Sequence, residues 1–451
     1  MSPPKRRKRS RKTNYVPLIL VAVICLTIIG GGFTWVIVKR QRGIGGRDDR
    51  SGSGTSSSEL TAAIAETDAI DPQWRLEDLA KARAKLDPNH NAARLAIAAA
   101  RQVPDSALNA LDGTKPLRDP SQPVPEYELQ RLRSTLPSCA PALGEARRMA
   151  DFRTGQFEIN FNFQRPLETK LEPETLARKT AFVLVCDSQL RASEGDATGA
   201  VRSTAALLIL ARCYGDDPFL ISALAKVGID TMAIGALEQT MTCAAVSDDE
   251  LKTLQGMFEG QAAETPLHAL RGERATRHAA IEAKTFAGGD VSPSAHAWFL
   301  RSMNRSIDLT GKRIPYYSPE WSAYLDNLRN GPQDGMRIMP ALDKVHDAFA
   351  RQAAFLRTAA VAVAAERYRR ASGSWPTDLR QLVPNYIASL PTDPYTGNPI
   401  QSAQTAQGFS VYVKGLAAVA SGEFGAIGNK PENCQGVRLL NPDRRRARTG
   451  K

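Results

Sequence analysis

Five histidines, six cysteines and scattered carboxylates are the groups in this 451-residue chain with which chemistry could be done. The histidines are His90, His268, His278, His296 and His346. His268 and His278 stand ten residues apart. A helix turns about 1000° over that distance, two full turns and about 280° more, so the two rings do not share a face, which argues against a shared metal ion. His346 falls with Leu342 and Phe349 and is expected at a surface or edge. Cys25, Cys139, Cys186, Cys213, Cys243 and Cys434 form no C-x-x-C pair, which argues against zinc. Cys186, Cys213 and Cys243 are spaced by 27 and 30 residues. That spacing suits either disulfides between neighbouring helices or small residues buried in an Ala-rich core, and the second reading is favoured. Asp187 with Glu194, and Asp248, Asp249 and Glu250, are the nearest approach to paired carboxylates. The second set follows Ser247, where acids at a helix start are explained by capping. The chain carries no Walker phosphate loop, dinucleotide fingerprint, H-E-x-x-H or G-x-S-x-G. No catalytic, cofactor-binding or metal-binding residue is therefore assigned, and no cofactor is expected.

Composition sets the frame for these groups. At 42% hydrophobic and 24% charged, the chain is neither collagen-like, coiled-coil nor wholly disordered. The net charge of +12 is concentrated at the ends. Residues 1–50 carry twelve Lys and Arg against Asp48 and Asp49, and residues 438–451 carry six against Asp443. These give +10 and +5, so the remaining 387 residues sum to −3. The body lacks the basic excess of a nucleic-acid binder, and no nucleic-acid partner is expected.

The elements follow from the chain order. Residues 1–15 form a basic tail, and residues 16–38 are an uncharged run long enough to cross a bilayer. The run favours an uncleaved anchor over a cleaved signal or a buried core helix. Seven cations before it and five after it, with two carboxylates beside the second group, keep the N-terminus cytoplasmic and send the body across. Residues 39–60, with the Gly/Ser-rich stretch Gly43–Ser58, read as a flexible linker. Residues 61–340 read as a helical domain. Asp71-Pro72 is expected to open one helix with an acidic cap, and Asp87-Pro88-Asn89 to close it. Asn91–Val103 supplies another, and Pro116–Pro125 breaks the pattern. Ala197, Ala200, Val201, Thr204, Ala205, Leu208 and Ile209 lie on one helical face. Glu194-Gly195-Asp196 and Gly215-Asp216-Asp217-Pro218 read as breaks, each a Gly stop followed by an acidic cap. Ser292–Pro340, rich in Trp and Tyr, is expected to be an irregular loop whose rings cap a core edge. A long helix runs from Leu342 to about Arg370, and Gly408–Val413 alternates as a strand. Residues 438–451 are expected to be a basic, disordered tail.

Two resemblances add to this reading. The Ala-rich, Gly-tipped hairpins resemble tetratricopeptide-type repeats, which stack in pairs; a solenoid and a plain helical bundle both remain open. The long helix, Trp375-Pro376 with Leu379, Leu382-Val383-Pro384 and Tyr386, Leu390-Pro391 with Asp393-Pro394-Tyr395, Gly397 and Pro399, and the strand resemble the globular part of type II secretion major pseudopilins. That implies a small α+β module over residues 341–437. It does not imply pilin processing, because Gly32-Phe33-Thr34 stands at the end of the apolar run with no Glu after it. The calcium loop of that family is also not evident, since Gly415–Gly428 holds only Glu423. The layout as a whole resembles a group of bacterial single-pass membrane proteins, including Ala269-Leu270-Arg271-Gly272-Glu273-Arg274.

The fold class expected is thus mainly α: an N-terminal transmembrane helix, a helical-hairpin body and a small C-terminal α+β module. The function expected is that of an inner-membrane-anchored, extracytoplasmic interaction or assembly protein rather than an enzyme. Its partners would be the lipid bilayer, through residues 16–38, and other envelope proteins. The alternatives are an accessory of a type II secretion or pilus-like system, and an enzyme of unrecognised type.

Overall fold

The computed structural model describes residues 53–83, 85–114, 124–286, 289–413 and 435–445. The apolar run 16–38, the basic tail 1–15, Cys25, Cys434 and residues 446–451 lie outside the described residues, as does most of the Pro-rich stretch. What is described is mainly helical, with one small antiparallel sheet near the C-terminus.

The chain begins with α1 (Ser53–Ile70) and α2 (Leu76–Ala82). The linker expected to run to residue 60 therefore ends earlier, and Ser53–Ser58 are helical. The turn that follows them explains this: Ala63 is fully buried and α1 packs along a later helix, so the Ser run is drawn into the helix it precedes. Asp71 does not open a helix either. It lies between α1 and α2, and its carboxylate receives the Arg271 guanidinium at 2.7 and 2.6 Å together with Arg274. Two charge-assisted partners outweigh one capping bond. Next come α3 (Ala92–Gln102), α4 (Asp105–Leu111), α5 (Glu126–Thr135) and α6 (Ala140–Arg148). Asn91 caps α3 by accepting the Ala93 N–H at 3.1 Å.

The expected hairpin is present as α7 (Glu172–Ser193) and α8 (Ala197–Arg212). Gly195 takes φ +81°, and Asp196 accepts the Gly199 N–H at 2.9 Å. Small residues let the pair close tightly, with the Ser188 hydroxyl reaching the Ala200 carbonyl at 3.2 Å. The second break differs from expectation. α9 (Leu220–Cys243) starts after Phe219 with no side-chain cap, while Asp216 and Asp217 both turn to Arg83. α10 (Asp248–Ala263) begins with the expected capping box of Ser247 and Glu250.

α11 (Leu267–Glu282) leads into the aromatic segment, which is not an irregular loop. It folds as α12 (Pro293–Gly311), α13 (Pro319–Arg329) and α14 (Gln333–Ile338). Pro293 and Pro319 sit just inside helix starts capped by Ser292 and Ser318, where a missing N–H costs nothing. The rings do cover a core edge: Trp321 and Tyr324 are buried, and Tyr316 and Tyr317 pack on Tyr395 of a later turn. α15 (Leu342–Ser372) matches the long helix expected and ends at Gly373 with φ +81°.

The sheet has the order β1 (Gln401–Gln404), β2 (Gly408–Val413), β3 (Gln435–Leu440). Phe409 faces Leu439 and Val411 faces Val437 across the central pair, and every residue of β2 is buried. Trp375 stacks on Phe409 at 5.1 Å and donates to Asn441 Oδ1 at 2.8 Å, which joins the loop after α15 to the sheet.

Apolar side chains gather in two large clusters, beside a small one of Ala192, Ala200 and Cys243. The first takes in α3, α6, α7, α8, α10, the later part of α15 and the sheet. The second takes in α1, α2, α11, α12 and α13. α9 and α15 contribute to both: Val227 and Phe349 belong to the second cluster, Ile229 and Ala354 to the first.

The basic C-terminal segment also departs from expectation as far as Arg445. Arg445 binds the buried Glu366 of α15 through two contacts of 2.7 Å, alongside Arg369 and Arg370. Burial alone would push the Glu366 carboxyl up, but the guanidiniums override it and hold it down at about 2. A depressed carboxyl stabilises the fold above its unfolded pKa, and that contribution is lost as pH falls towards about 2. Glu366→Ala would strand three cations and is expected to cost about 3–5 kcal/mol in urea denaturation at neutral pH. A loss under about 1 kcal/mol would contradict this assignment.

Candidate functional site

Three local arrangements stand out once the helices are in place. The first is an exposed aromatic edge. Residues 160–170 form a loop closed by the Asn160–Lys170 bridge and by the Asn162 N–H on Thr169 Oγ1 at 3.2 Å. Phe161 at its neck stacks on Phe163 at 5.8 Å and on Phe219 at 5.9 Å, which ties the loop to the start of α9. Phe163 and Leu167 in the loop are 44% and 43% exposed, and Ile221 in the first turn of α9 is 54% exposed. Three large apolar side chains left in water on adjoining segments are a candidate contact surface.

The second arrangement is a polar cleft of about 660 Å³ between α1, α11 and α12. Arg274 is fully buried in its wall, donating to Asn304 Oδ1 at 2.6 Å and to Asp71. Glu66 and Arg301 close one side with contacts of 2.9 and 2.8 Å. Burial would raise the Asp71 carboxyl, but Arg271 and Arg274 hold it below its ordinary value. Arg274 and Arg75 both lie 5.1 Å from the centre of the Trp74 ring, whose N–H donates to Asp68 at 2.8 Å. Gly272 is required here. A Cβ on it would stand 2.0 Å from the Pro218 carbonyl oxygen, so only glycine lets α11 approach the turn before α9.

Against the other side of Trp74 lies an imidazole pair. His278 Nδ1 is 2.9 Å from His296 Nε2, and the Trp74 and His278 ring centres are 4.6 Å apart. Burial, with the neighbouring imidazole, pushes His278 down to about 3, and burial pushes His296 down to about 4. Both rings are neutral at physiological pH. Glu282, one turn beyond His278 on α11, has a carboxylate oxygen 3.8 Å from His296 Nδ1. These three are the described residues that could hold a metal ion together. His268 is not with them; it lies beside Asp216. His346 is not at a surface. It is buried against Trp321 at 4.4 Å and shares a 2.7 Å hydrogen bond with Ser306 Oγ, because α15 turns that face into the second core. His90 is exposed beside Asp87.

The third arrangement is a buried acid pair. Ser222 Oγ donates to Glu174 Oε2 at 2.6 Å, Arg83 binds Asp217, and the Tyr214 hydroxyl donates to the Glu174 carbonyl at 2.8 Å. Burial pushes both carboxyls up, and the Glu174 charge raises Asp217 further. Asp187, Glu194 and Asp248 are held in ion pairs, Glu250 caps α10, and Asp249 lies in the first turn of that helix. Asp187 receives Arg147 at 3.0 and 2.8 Å together with Arg191 and Ser203. Glu194 binds Arg133 and Asp248 binds Arg367. Cys139, Cys186, Cys213 and Cys243 are all buried, as the favoured core reading has it.

Comparison with protein-family models, with curated proteins and with solved structures returned no match for this chain.

The acid pair gives a pH prediction. A carboxyl whose folded pKa is raised contributes stability that is present below its unfolded pKa and is lost as pH climbs through the folded one. The wild-type melting temperature is expected to fall as pH rises above the ordinary carboxylate range, and Asp217→Asn should show a distinctly shallower fall. Parallel profiles for the two proteins would mean that the pair does not carry the proton.

Proposed function

We propose that this chain is a membrane-anchored interaction protein, whose helical body presents the Phe161–Phe163–Phe219 edge to another envelope protein. The exposed trio Phe163, Leu167 and Ile221 carries this reading. Each side chain could have been polar at no cost to either core, and leaving them apolar disfavours the free body in water. The rigid neck supports it too, since stacked rings preorganise a surface and lower the ordering cost of binding. In this reading residues 16–38 anchor the chain in the inner membrane with the N-terminus inside, and the body works on the far side.

A second reading, an accessory of a type II secretion or pilus-like system, is favoured by one observation. α15 is followed by a loop pinned by Trp375 and then by a three-stranded antiparallel sheet, the order of elements that its pseudopilin resemblance implies. Deleting residues 341–451 would be a poor test of either reading, because α15 supplies side chains to both cores.

Surface substitution is the cleaner experiment. Phe163→Ser, Leu167→Ser and Ile221→Ser combined should abolish crosslinking to partners captured from membranes, with the far-UV spectrum and melting temperature kept. Unchanged partner capture by the folded triple variant would remove the edge from the account. Loss of secretion components in particular would select the second reading.

A further inference from the structure

We propose that His278, Glu282 and His296 form a binding site for a divalent transition-metal ion of the zinc class. His278 and Glu282 stand four apart on α11, which puts them one turn apart on the same face. His296 enters from the first turns of α12, whose start is fixed by the Ser292 cap. One ligand atom from each lies within 4.8 Å of the other two.

The spacing fits the chemistry. Two nitrogens bound at about 2.0–2.1 Å to one ion, at angles between octahedral and tetrahedral, stand roughly 2.9–3.4 Å apart. His278 Nδ1 and His296 Nε2 are 2.9 Å apart. An imidazole–imidazole hydrogen bond would explain that contact by itself, but it leaves Glu282 without a reason. Glu282 is the last residue of α11, where the helix dipole disfavours a carboxylate. Glu282 Oε1 stands 3.8 Å from His296 Nδ1, the ring nitrogen that does not meet His278, so it joins the ion once its exposed side chain swings round to the Nε2 side. Two imidazoles and one carboxylate suit zinc and its first-row neighbours rather than calcium or magnesium. Three protein ligands leave a further position for water, on the side where Glu282 meets solvent. Trp74 packs on the His278 ring and is held by Asp68 through its ring N–H, which braces His278.

The test uses the full-length protein in detergent, stripped with a chelator and titrated with Zn²⁺ against a chromophoric competitor. One ion per chain is expected at this site, with Mg²⁺ and Ca²⁺ failing to compete. Glu282→Gln, on an exposed residue, should weaken the affinity at least about tenfold with the apo melting temperature unchanged. His296→Gln should weaken it further. Zn²⁺ should raise the melting temperature of the wild type and not that of Glu282→Gln. No binding by the wild type, or binding of equal strength in both variants, overturns the assignment.

Discussion

The buried carboxylate of Asp230 stands at the seam between the two apolar cores. It is fully enclosed on α9, takes Lys226 at 3.0 Å from one turn earlier, the Gln261 amide of α10 at 2.9 Å, and the Gln352 amide of α15. Val227 and Ile229 just before it in sequence belong to different cores, as do Phe349 and Ala354 around Gln352. A charge placed there must be met from all three helices at once, or it costs several kcal/mol, roughly 3–5 by comparison with broken buried pairs. That requirement fixes the rotation of α9 against α10 and α15. Burial would push the Lys226 amine down, yet Asp230 and Glu264 outweigh it and keep it charged. The aromatic edge at the head of α9 and the sheet docked on α15 take their positions from helices set by this junction.

The same helix shows why apolarity and location must be argued separately. Among the described residues, Leu220–Cys243 is the one helix long and apolar enough to cross a membrane by length and composition. It is nevertheless enclosed by protein and carries Lys226, Asp230, Glu238 and Gln239. Glu238 accepts the Arg438 N–H of β3 at 3.0 Å, so its polar groups are used to bind neighbours. Residues 16–38 carry no such groups, and the anchor reading rests on them alone.

Features that depend on near neighbours were legible in the sequence. The face of α8, the Gly195–Asp196 hairpin, the Ser247 capping box, α15 and the strand Gly408–Val413 all follow from periodicity or from residues within a few positions. Errors came where a residue with a local use had a distant partner. Asp71 and Asp217 have the chemistry of caps but are taken by Arg271 and Arg274 and by Arg83. Arg445 looks like part of a solvated tail until Glu366, far away in sequence, is placed beside it. Ser292–Pro340 reads as an irregular loop although Ser292-Pro293 and Ser318-Pro319 each mark a helix start. The imidazole pair was missed because the spacing argument tested His268 against His278. The i, i+4 step from His278 to Glu282 was the signal available, and His296 is brought in only by the packing of α12 on α11.

If α9 and α15 tie the two cores together through Asp230, the body must unfold as one unit. The direct measurement is urea denaturation of the full chain followed at once by tryptophan fluorescence and far-UV circular dichroism. Trp375 lies in the first core, so the Trp375→Phe variant is used, in which Trp74 and Trp321 report the second core while the helical signal comes from both. Coincident single transitions are the expected result. Fluorescence change well ahead of the loss of helix would show the second core melting alone, and would contradict the account.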